Sequence, residues 1–343
     1  MIRAPSTAGS PGAKCNVVIV HGVLDSSRPD EQDTLLQAAE VAEALEHLGY
    51  GTEALALSLD LSPLARLANP DILVFNLVEG LDGNGRLQHL PPAVMEHLGV
   101  AFTGASAAAL AITTDKVLAK TLLAAAGLPV PETVGTTGPA DASARYIVKS
   151  LTEDASFGID DASVVAGTEV ASEIVRRAAR FGGDWFAERY VEGREFNISV
   201  FTDETGGPRV LPAAEIVFVG YGEGRPRIVD YAAKRGPEGH GDHNTPPPFG
   251  PRQDEPELVA ELDRLTRAAW HTLGLAGYAR VDFRVDERGR CYILEVNANP
   301  CLSSDAGFMA AAAEAGLSFD DVIARIVEAS LRRNRKLPAP SPS

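Results

Sequence analysis

The sequence predicts an α/β protein that opens with a small doubly wound domain and continues into a second unit of helices and strands. Three observations predict it. Up to Gly104 the chain alternates short apolar runs with helical patterns, as βαβ units do. Beyond that point, amphipathic helices separate further runs with strand-like patterns. Arg280 to Asn297 reads RVDFRVDERGRCYILEVN, two strands with polar and apolar residues in alternation. A chain of 343 residues with 45% hydrophobic content has room for two to three domains with good cores.

Asn16 to His21, NVVIVH, is an apolar run followed by Gly22 and fits a buried parallel strand. After a loop holding Asp25, Arg28 and Pro29, DEQDTLLQAAEVAEALEHLGY places Leu35, Ala38, Ala42, Leu45 and Leu48 on one helical face and stops at Gly49. Asp30, Glu31 and Asp33 gather at its N-terminus, where the helix dipole favours acidic residues. Strands follow at Glu53 to Leu57 and Ile72 to Leu77, then a helix from Pro92 to Leu98 and a short strand before Thr103-Gly104. No G-x-G-x-x-G follows Val20, which argues against a dinucleotide site.

A second unit begins near Ile112 with TTDKVLAKTLLAAAGLPVPET, a helix that Gly127 and two prolines end. Lys116 and Lys120 lie one turn apart on it, and Lys120 is expected to face solvent. Tyr146 to Lys149 is an apolar strand ending on a lysine. It precedes a small-residue turn of Glu153, Asp154, Ala155, Ser156 and Gly158 whose N–H groups suit phosphate. A helix from Thr168 to Arg180, a strand in WFAERYVEG and another in EFNISVFT follow, with Glu188 and Glu195 around the turn between them. Gly220 to Pro251 is a long loop dense in Gly, Pro and charge, of the kind that is functional or disordered. Its His240 and His243 fit a mobile, solvated loop better than a metal site, because no further His is near. A helix from Glu255 to Leu273, the hairpin and a helix from Ser318 to Leu331 complete the chain. Ser318 with Asp321 makes a capping-box-like start, with Val322, Ile323, Ile326 and Val327 inward.

The hairpin carries the clearest chemical pattern. With Arg288-Gly289 as a two-residue loop, Glu287 faces Arg290, Asp282 faces Glu295 and Arg280 faces Asn297. Side chains alternate, so Arg280, Asp282, Glu295 and Asn297 share one face, while Val281, Phe283, Leu294 and Val296 take the other. Opposed carboxylates repel by roughly 0.2–1 kcal/mol, and a cation removes that cost. Two carboxylates and an amide, without His or Cys, suit Mg²⁺ shared with phosphates better than zinc. A solvated face with chance acidic pairing is the alternative.

The formal charge of −16, with Lys and Arg scattered, argues against nucleic acid as a partner. Cys15, Cys291 and Cys301 fit neither a disulfide framework nor a metal spacing, which indicates a reducing compartment. The first residues lack the apolar core of a signal peptide, and no apolar run approaches about 18 residues. A cytoplasmic protein without a membrane partner is expected.

With these pieces in this order, the chain resembles the ATP-grasp superfamily and, within it, the D-alanine–D-alanine ligase family, from about Val17 to about Glu328. FNLVEGLDGNGRLQHLPPAVMEHLGVAFTG, TDKVLAK, IVKSLTEDASFGI, ARVDFRV and LEVNANPCLSS carry the likeness. It implies an α/β ATP-grasp fold: a flexible stretch 1–15, an N-terminal doubly wound domain 16–111, a central subdomain 112–187, a C-terminal subdomain 188–331 and a disordered tail 332–343. The two α+β subdomains would grip ATP. The resemblance further implies two Mg²⁺ ions, or Mn²⁺ in their place, amino-acid substrates and a homodimer. Lys116, Lys149 and the turn at Ser156 would hold the phosphates. Glu188 and the backbone through Arg189, Tyr190 and Val191 would meet adenine, and Glu195 the ribose hydroxyls. Lys234 would reach the phosphates from the long loop, acting as a lid. Asp282, Glu295 and Asn297 would bind the metal, and Arg280 would stabilise the reacting acyl phosphate and its tetrahedral adduct. In such a ligase a carboxylate attacks the γ-phosphorus of ATP, and an amine then attacks the acyl phosphate.

The sequence departs from the family in its amino-acid site. Ala155 stands where the family has a serine that helps place the first amino acid, and Arg235 where it often has a tyrosine. Cys301 replaces a glycine, and Ala306 a serine that holds the acceptor's carboxylate. The departures predict an acid–amino-acid ligase of specialised metabolism whose dipeptide or related amide is not built from two D-alanines, with γ-glutamyl transfer as one form. Arg235 would pair with an extra substrate carboxylate, or instead with Asp30 or Glu31. A D-alanine–D-alanine ligase of cell-wall synthesis is the alternative, and an ATP-binding regulatory protein without ligase activity is the alternative of another class. Cys301 needs no catalytic role, since activation by ATP makes a thiol nucleophile unnecessary.

Overall fold

The computed structural model describes residues 16–23, 29–134, 140–154, 156–218, 225–228 and 255–335, with backbone alone at 29–32 and 334–335. The first domain keeps the expected order of elements. Strands β1 (Asn16–Gly22), β2 (Gly51–Leu57), β3 (Ile72–Asn76) and β4 (Ala101–Phe102) pair in parallel as β2-β1-β3-β4, with α1 (Pro29–His47) and α2 (Leu90–Leu98) between them in the chain. Val17, Ile19, Leu73 and Phe75 enter one core, and Val18, Val20 and Val74 another, as in a parallel sheet covered on both faces. The buried stripe of α1 is Thr34, Gln37, Ala38, Val41, Ala44 and Leu45, whereas Leu35 is 43% exposed. Its true phase is one residue off the expected one, because Thr34 and Gln37 conceal the stripe from a count of apolar residues.

Helix α3 (Ala107–Thr114) precedes α4 (Lys116–Ala125), and Asp115 separates them as the N-cap of α4, accepting from the N–H groups of Val117 and Leu118. A second sheet, order β5-β8-β6-β7, contains β5 (Thr133–Val134), β6 (Arg145–Ser150), β7 (Val164–Ala166) and β8 (Trp185–Arg189), all antiparallel, with α5 (Val170–Phe181) packed on it. The third sheet has the order β10-β9-β12-β13, and β11 also pairs with β9. Its strands are β9 (Arg194–Thr202), β10 (Pro208–Val210), β11 (Ala214–Ile216), β12 (Tyr278–Val285) and β13 (Cys291–Asn297). Helices α3, α4 and α6 (Pro256–Thr272) bury Ala109, Leu110, Leu123, Leu265 and Trp270 against this sheet. Helices α7 (Gly307–Glu314) and α8 (Phe319–Arg335) share their core with α1 and β1.

Three expected boundaries therefore move. The break at 111/112 falls inside α3, and α3 and α4 belong to the core of the third sheet; the break at 187/188 falls inside β8. Ser318 and Asp321 do cap α8, but that helix runs past Leu331, and Arg333 donates to the carbonyls of Phe102 and Gly104. A tail beginning at 332 starts too early; residues 336–343 lie outside the described residues. Among the described residues no helix is long and apolar enough to cross a membrane.

The hairpin keeps its predicted pairing by a different route. Arg280 faces Asn297 and Asp282 faces Glu295, but Phe283 faces Ile293 and Val285 faces Cys291. The loop runs from Asp286 to Arg290, and a bulge at Leu294 cancels the offset that this longer loop introduces. Ile293, not Leu294, therefore joins Phe283 in the core, and Leu294 offers its carbonyl to Lys120.

Candidate active site

Strands β9 and β12 lie side by side, which sets Arg280 opposite Ser199, Asp282 opposite Asn197 and Arg284 opposite Glu195. Because side chains alternate, these residues share the face that also carries Glu295 and Asn297, while Phe196, Ile198, Val281 and Phe283 fill the apolar face. From α4, Lys116 reaches Glu295 of this face, and Lys120 bridges the Leu294 carbonyl of β13 to Glu188 of the second sheet, which Lys149 also meets. Two charge clusters result.

In the first, two lysines share one carboxylate. Glu188, 1% exposed, accepts from Lys149 Nζ at 2.6 Å on Oε1 and lies 3.0 Å from Lys120 Nζ through Oε2. Lys120 is 4% exposed, so it is not the solvent-facing residue that its helical position suggests. Its face of α4 is closed by the bulge of β13, whose Leu294 carbonyl it also meets. Burial alone would raise the Glu188 carboxyl pKa, yet Lys120 and Lys149 outweigh it and hold the group below the usual range. Burial pushes Lys120 below the usual lysine value, with the charge of Lys149 adding, because a single carboxylate cannot compensate two ammonium groups. The cluster is one positive charge in excess.

In the second, two carboxylates share one lysine. Lys116 Nζ, on a residue 6% exposed, lies 2.8 Å from Asp154 Oδ1 and 3.3 Å from Glu295 Oε1, and donates to the Glu153 carbonyl at 2.9 Å. Burial opposes its charge, but Asp154 and Glu295 more than compensate and raise its pKa. Burial, together with the charge of Glu295, holds the Asp154 carboxyl up; Glu295 is also opposed by burial but is held down, chiefly by Lys116. Counted with both carboxylates ionised, this cluster has one negative charge in excess, and the raised Asp154 carboxyl is the group that takes up a proton to relieve it. Beside it Arg280 forks onto Asp282, Nε to Oδ1 at 2.7 Å and Nη2 to Oδ2 at 2.8 Å. Asn297 Oδ1 accepts the Asn299 N–H at 2.8 Å, and the side chain of Asn299 donates to the Val78 carbonyl of the first domain at 3.2 Å.

Among the described residues no three His, Cys, Asp or Glu side chains converge into a preformed metal cluster. Asp282 and Glu295, expected to hold a cation, are instead matched by Arg280 and Lys116. The donor set nevertheless suits a hard divalent ion, since Asp282 and Glu295 offer carboxylate oxygens and Asn297 an amide oxygen, without His or Cys.

The described residues of the turn after β6 are tied down on both sides. Ser156 has φ +60°, unusual for a residue other than glycine, and Gly158 has φ +65°. Arg177, buried on α5, donates to the Gly158 carbonyl and Asp160 and pairs with buried Glu173 at 2.6 Å. Lys116 secures the turn's other end through Glu153 and Asp154.

The remaining expected residues divide. Glu188 has both oxygens engaged by lysines, and its backbone is paired with Ile147 inside the second sheet. The N–H groups of Arg189 and Tyr190 already donate to the carbonyls of Glu132 and Arg145, and the Arg189 side chain is exposed near Asp141. Glu195 is paired with Arg284. Ala155, Lys234, Arg235, His240 and His243 lie outside the described residues, and so do the side chains of Asp30 and Glu31 at the start of α1. Cys301 Sγ donates to Gln37 Oε1 at 3.3 Å and sits 3.1 Å from Ser303 Oγ, while Ser304 donates from N and Oγ to Glu40 at 2.8 and 2.6 Å. Burial raises the Cys301 thiol pKa, which fits a residue without nucleophilic duty. Three site residues escape a reading of the sequence: the carboxylate of Asp154, Lys120 and Arg284. Arg284 was within reach, since it follows Asp282 by two residues and so shares its face.

Comparison with known proteins bears on family and fold. A family model described as D-ala D-ala ligase C-terminus matches residues 140–328. The chain is 31% identical over 307 residues to an uncharacterised protein, y4sG, of Sinorhizobium fredii, covering 86% of this chain and 88% of that one. It is 30% identical over 316 residues to the D-alanine–D-alanine ligase of Moorella thermoacetica, covering 88% of this chain and 96% of that one. Its fold is similar to the crystal structure of D-alanine–D-alanine ligase from Bacillus anthracis complexed with ATP, with a TM-score of 0.72 at 18% identity over 94% of this chain and 99% of that one. A matched family model over more than half the chain, and 30% identity to the Moorella ligase across 88% of this chain, bear out the resemblance: the chain belongs to the D-alanine–D-alanine ligase family of the ATP-grasp superfamily.

Proposed function

We propose that this chain is an ATP-dependent carboxylate–amine ligase that joins two molecules of D-alanine. The observation that carries the ligase reading is the pairing of a lysine-rich cluster with a carboxylate-rich one on adjacent sheets. The first suits an anion such as a polyphosphate, and the second suits the cation that accompanies it. D-alanine is favoured because relatives bearing that activity in their names, such as the Moorella protein, align over nearly the whole chain.

In this reading Lys116, Lys149 and the turn at Ser156 bind the phosphates. Glu188 and the backbone through Val191 meet adenine, and Glu195 accepts from the ribose hydroxyls. Asp282, Glu295 and Asn297 would hold Mg²⁺, which when bound supplies charge neutralisation for phosphoryl transfer. Arg280 turns from Asp282 to stabilise the developing negative charge as the first carboxylate becomes an acyl phosphate and the second amine attacks it. Lys234, on the long segment after Ile228, adds a further phosphate contact, and the protein is expected to work as a homodimer.

Cys301 and Ala306 favour a second reading, in which the amino acids differ from two D-alanines. Cys301 is fastened to Gln37 beside Ser303, so the loop after Pro300 carries a thiol where the family has glycine. Phosphate release from ATP with D- and L-amino acids, singly and in pairs, followed by mass spectrometry, separates the readings. Release with D-alanine alone and a D-alanyl-D-alanine product supports the first. Release that needs two different amino acids supports the second. No release with any amino acid, despite tight ATP binding, moves the chain to an ATP-binding regulatory role.

A further inference from the structure

We infer that Arg284 is a positioning residue that holds Glu195 ready for the two hydroxyls of the nucleotide's ribose; this rests on the ribose role of Glu195 proposed above. Arg284 is 4% exposed, on the same face of β12 as Arg280 and Asp282 and directly opposite Glu195 of β9. Its Nη2 lies 2.8 Å from Glu195 Oε2, Nη1 donates to the Gly193 carbonyl at 3.0 Å, and Nη2 also donates to the Arg227 carbonyl. The guanidinium lies 5.3 Å from the centroid of the Phe218 ring. The Arg227 N–H in turn donates to the Tyr190 hydroxyl at 2.9 Å. One guanidinium thus joins the turn after β8, the segment 225–228 and Glu195.

The two arginines of β12 use their carboxylates differently. Arg280 occupies both oxygens of Asp282, whereas Arg284 occupies only Oε2 of Glu195. A carboxylate has about four acceptor sites, so Oε1 keeps the capacity to accept from vicinal hydroxyls. The carbonyls of Gly193 and Arg227 fix the guanidinium independently of Glu195. Arg284 therefore orients Glu195, rather than the reverse. Gly193 permits this: a Cβ there would collide with the Val285 carbonyl, so a larger residue would push the Gly193 carbonyl off Arg284.

The test is calorimetric titration of the full chain with Mg²⁺ and either ADP or 2′,3′-dideoxy-ADP, alongside thermal unfolding. Wild type should prefer ADP by about tenfold, the scale of a hydrogen bond to a charged acceptor. Glu195→Gln should lose most of that preference. Arg284→Met should lose it as well while binding the dideoxy nucleotide within about twofold of wild type, and Arg284→Lys should restore part of it. Equal losses for both nucleotides in Arg284→Met would reduce Arg284 to a structural strut, and an intact preference in a folded Arg284→Met protein would overturn the inference outright. If Glu195→Gln keeps the wild-type preference, the ribose reading of Glu195 fails and this inference falls with it.

Discussion

The two charge clusters of the site are mirror images. Around Glu188 two lysines share one buried carboxylate; around Lys116 two carboxylates share one buried lysine. On formal charges each cluster has one in excess, and the signs are opposite. A buried ion pair costs desolvation on both partners and contributes little net stability, so an unmatched third charge is a liability for folding. The two excesses have opposite signs and act on each other, Lys149 helping to hold Glu295 down and Glu295 helping to hold Lys120 up; under the proposed function, a ligand would bring an anion to one and a cation to the other. The difference also marks what each cluster does without its ligand. The lysine cluster is sealed, with Glu188 almost inaccessible; the carboxylate cluster is more open, with Glu295 a quarter exposed.

The largest expected effects come from removing the charge that each cluster offers. Lys149→Met and Glu295→Gln should each lower ADP release by about 10²–10³-fold, the scale for losing one charge-stabilising group. Only Glu295→Gln should recover as Mg²⁺ or Mn²⁺ is raised. Recovery of Lys149→Met by metal, or none in Glu295→Gln, would erase the distinction between an anion end and a cation end. Stability should split the clusters next. Glu188→Gln leaves Lys120 and Lys149 buried without a counter-charge and should cost about 3–5 kcal/mol. Glu295→Gln leaves Lys116 its shorter contact with Asp154 and should cost less than about 1 kcal/mol. Denaturant unfolding of the two variants measures the gap; equal losses would mean that the clusters are not mirror images in energy.

The pH response should carry the same asymmetry. The folded pKa of Glu188 lies below its usual value of 4.5, so its contribution is fully present above that value and is lost as the pH falls through the folded pKa. Asp154 shifts the other way. Its carboxyl is held up, so the stability tied to its protonated form is present at low pH and is lost as the pH rises through the folded pKa. Glu188→Gln should therefore flatten the acid limb of a stability–pH curve, and Asp154→Asn the limb above it. A wild-type acid limb that persists unchanged in Glu188→Gln would assign acid sensitivity to other groups.

What the sequence made legible follows the range of the interactions. The parallel domain was readable because each strand buries both faces and each helix returns it to the same sheet. The face shared by Arg280, Asp282, Glu295 and Asn297 was readable because alternation is a local rule. The bulge at Leu294 was not, since the longer loop and the extra residue cancel and leave the decisive pairs where a simple hairpin would put them. Lys120 looked exposed because one helical turn says nothing about which sheet will cover it, and its partner carbonyl lies 174 residues away. Arg284 was on a legible face, but its partner Glu195 depends on β9 and β12 becoming neighbours, which no local pattern encodes.

Lys120 gives the smallest and most discriminating test. Lys120→Met removes an ammonium that burial already disfavours, and leaves Glu188 and Lys149 as a balanced pair. Against this gain stands the Leu294 carbonyl at the bulge, which loses a donor worth about 1 kcal/mol. The two should nearly cancel, so unfolding free energy should change by less than about 1 kcal/mol. ADP affinity should nevertheless fall several-fold, because the cluster's excess charge is gone. If stability collapses while affinity in the surviving protein is unchanged, Lys120 is there to secure the bulge, and the positive excess is a by-product of the fold rather than a reserve for the anion.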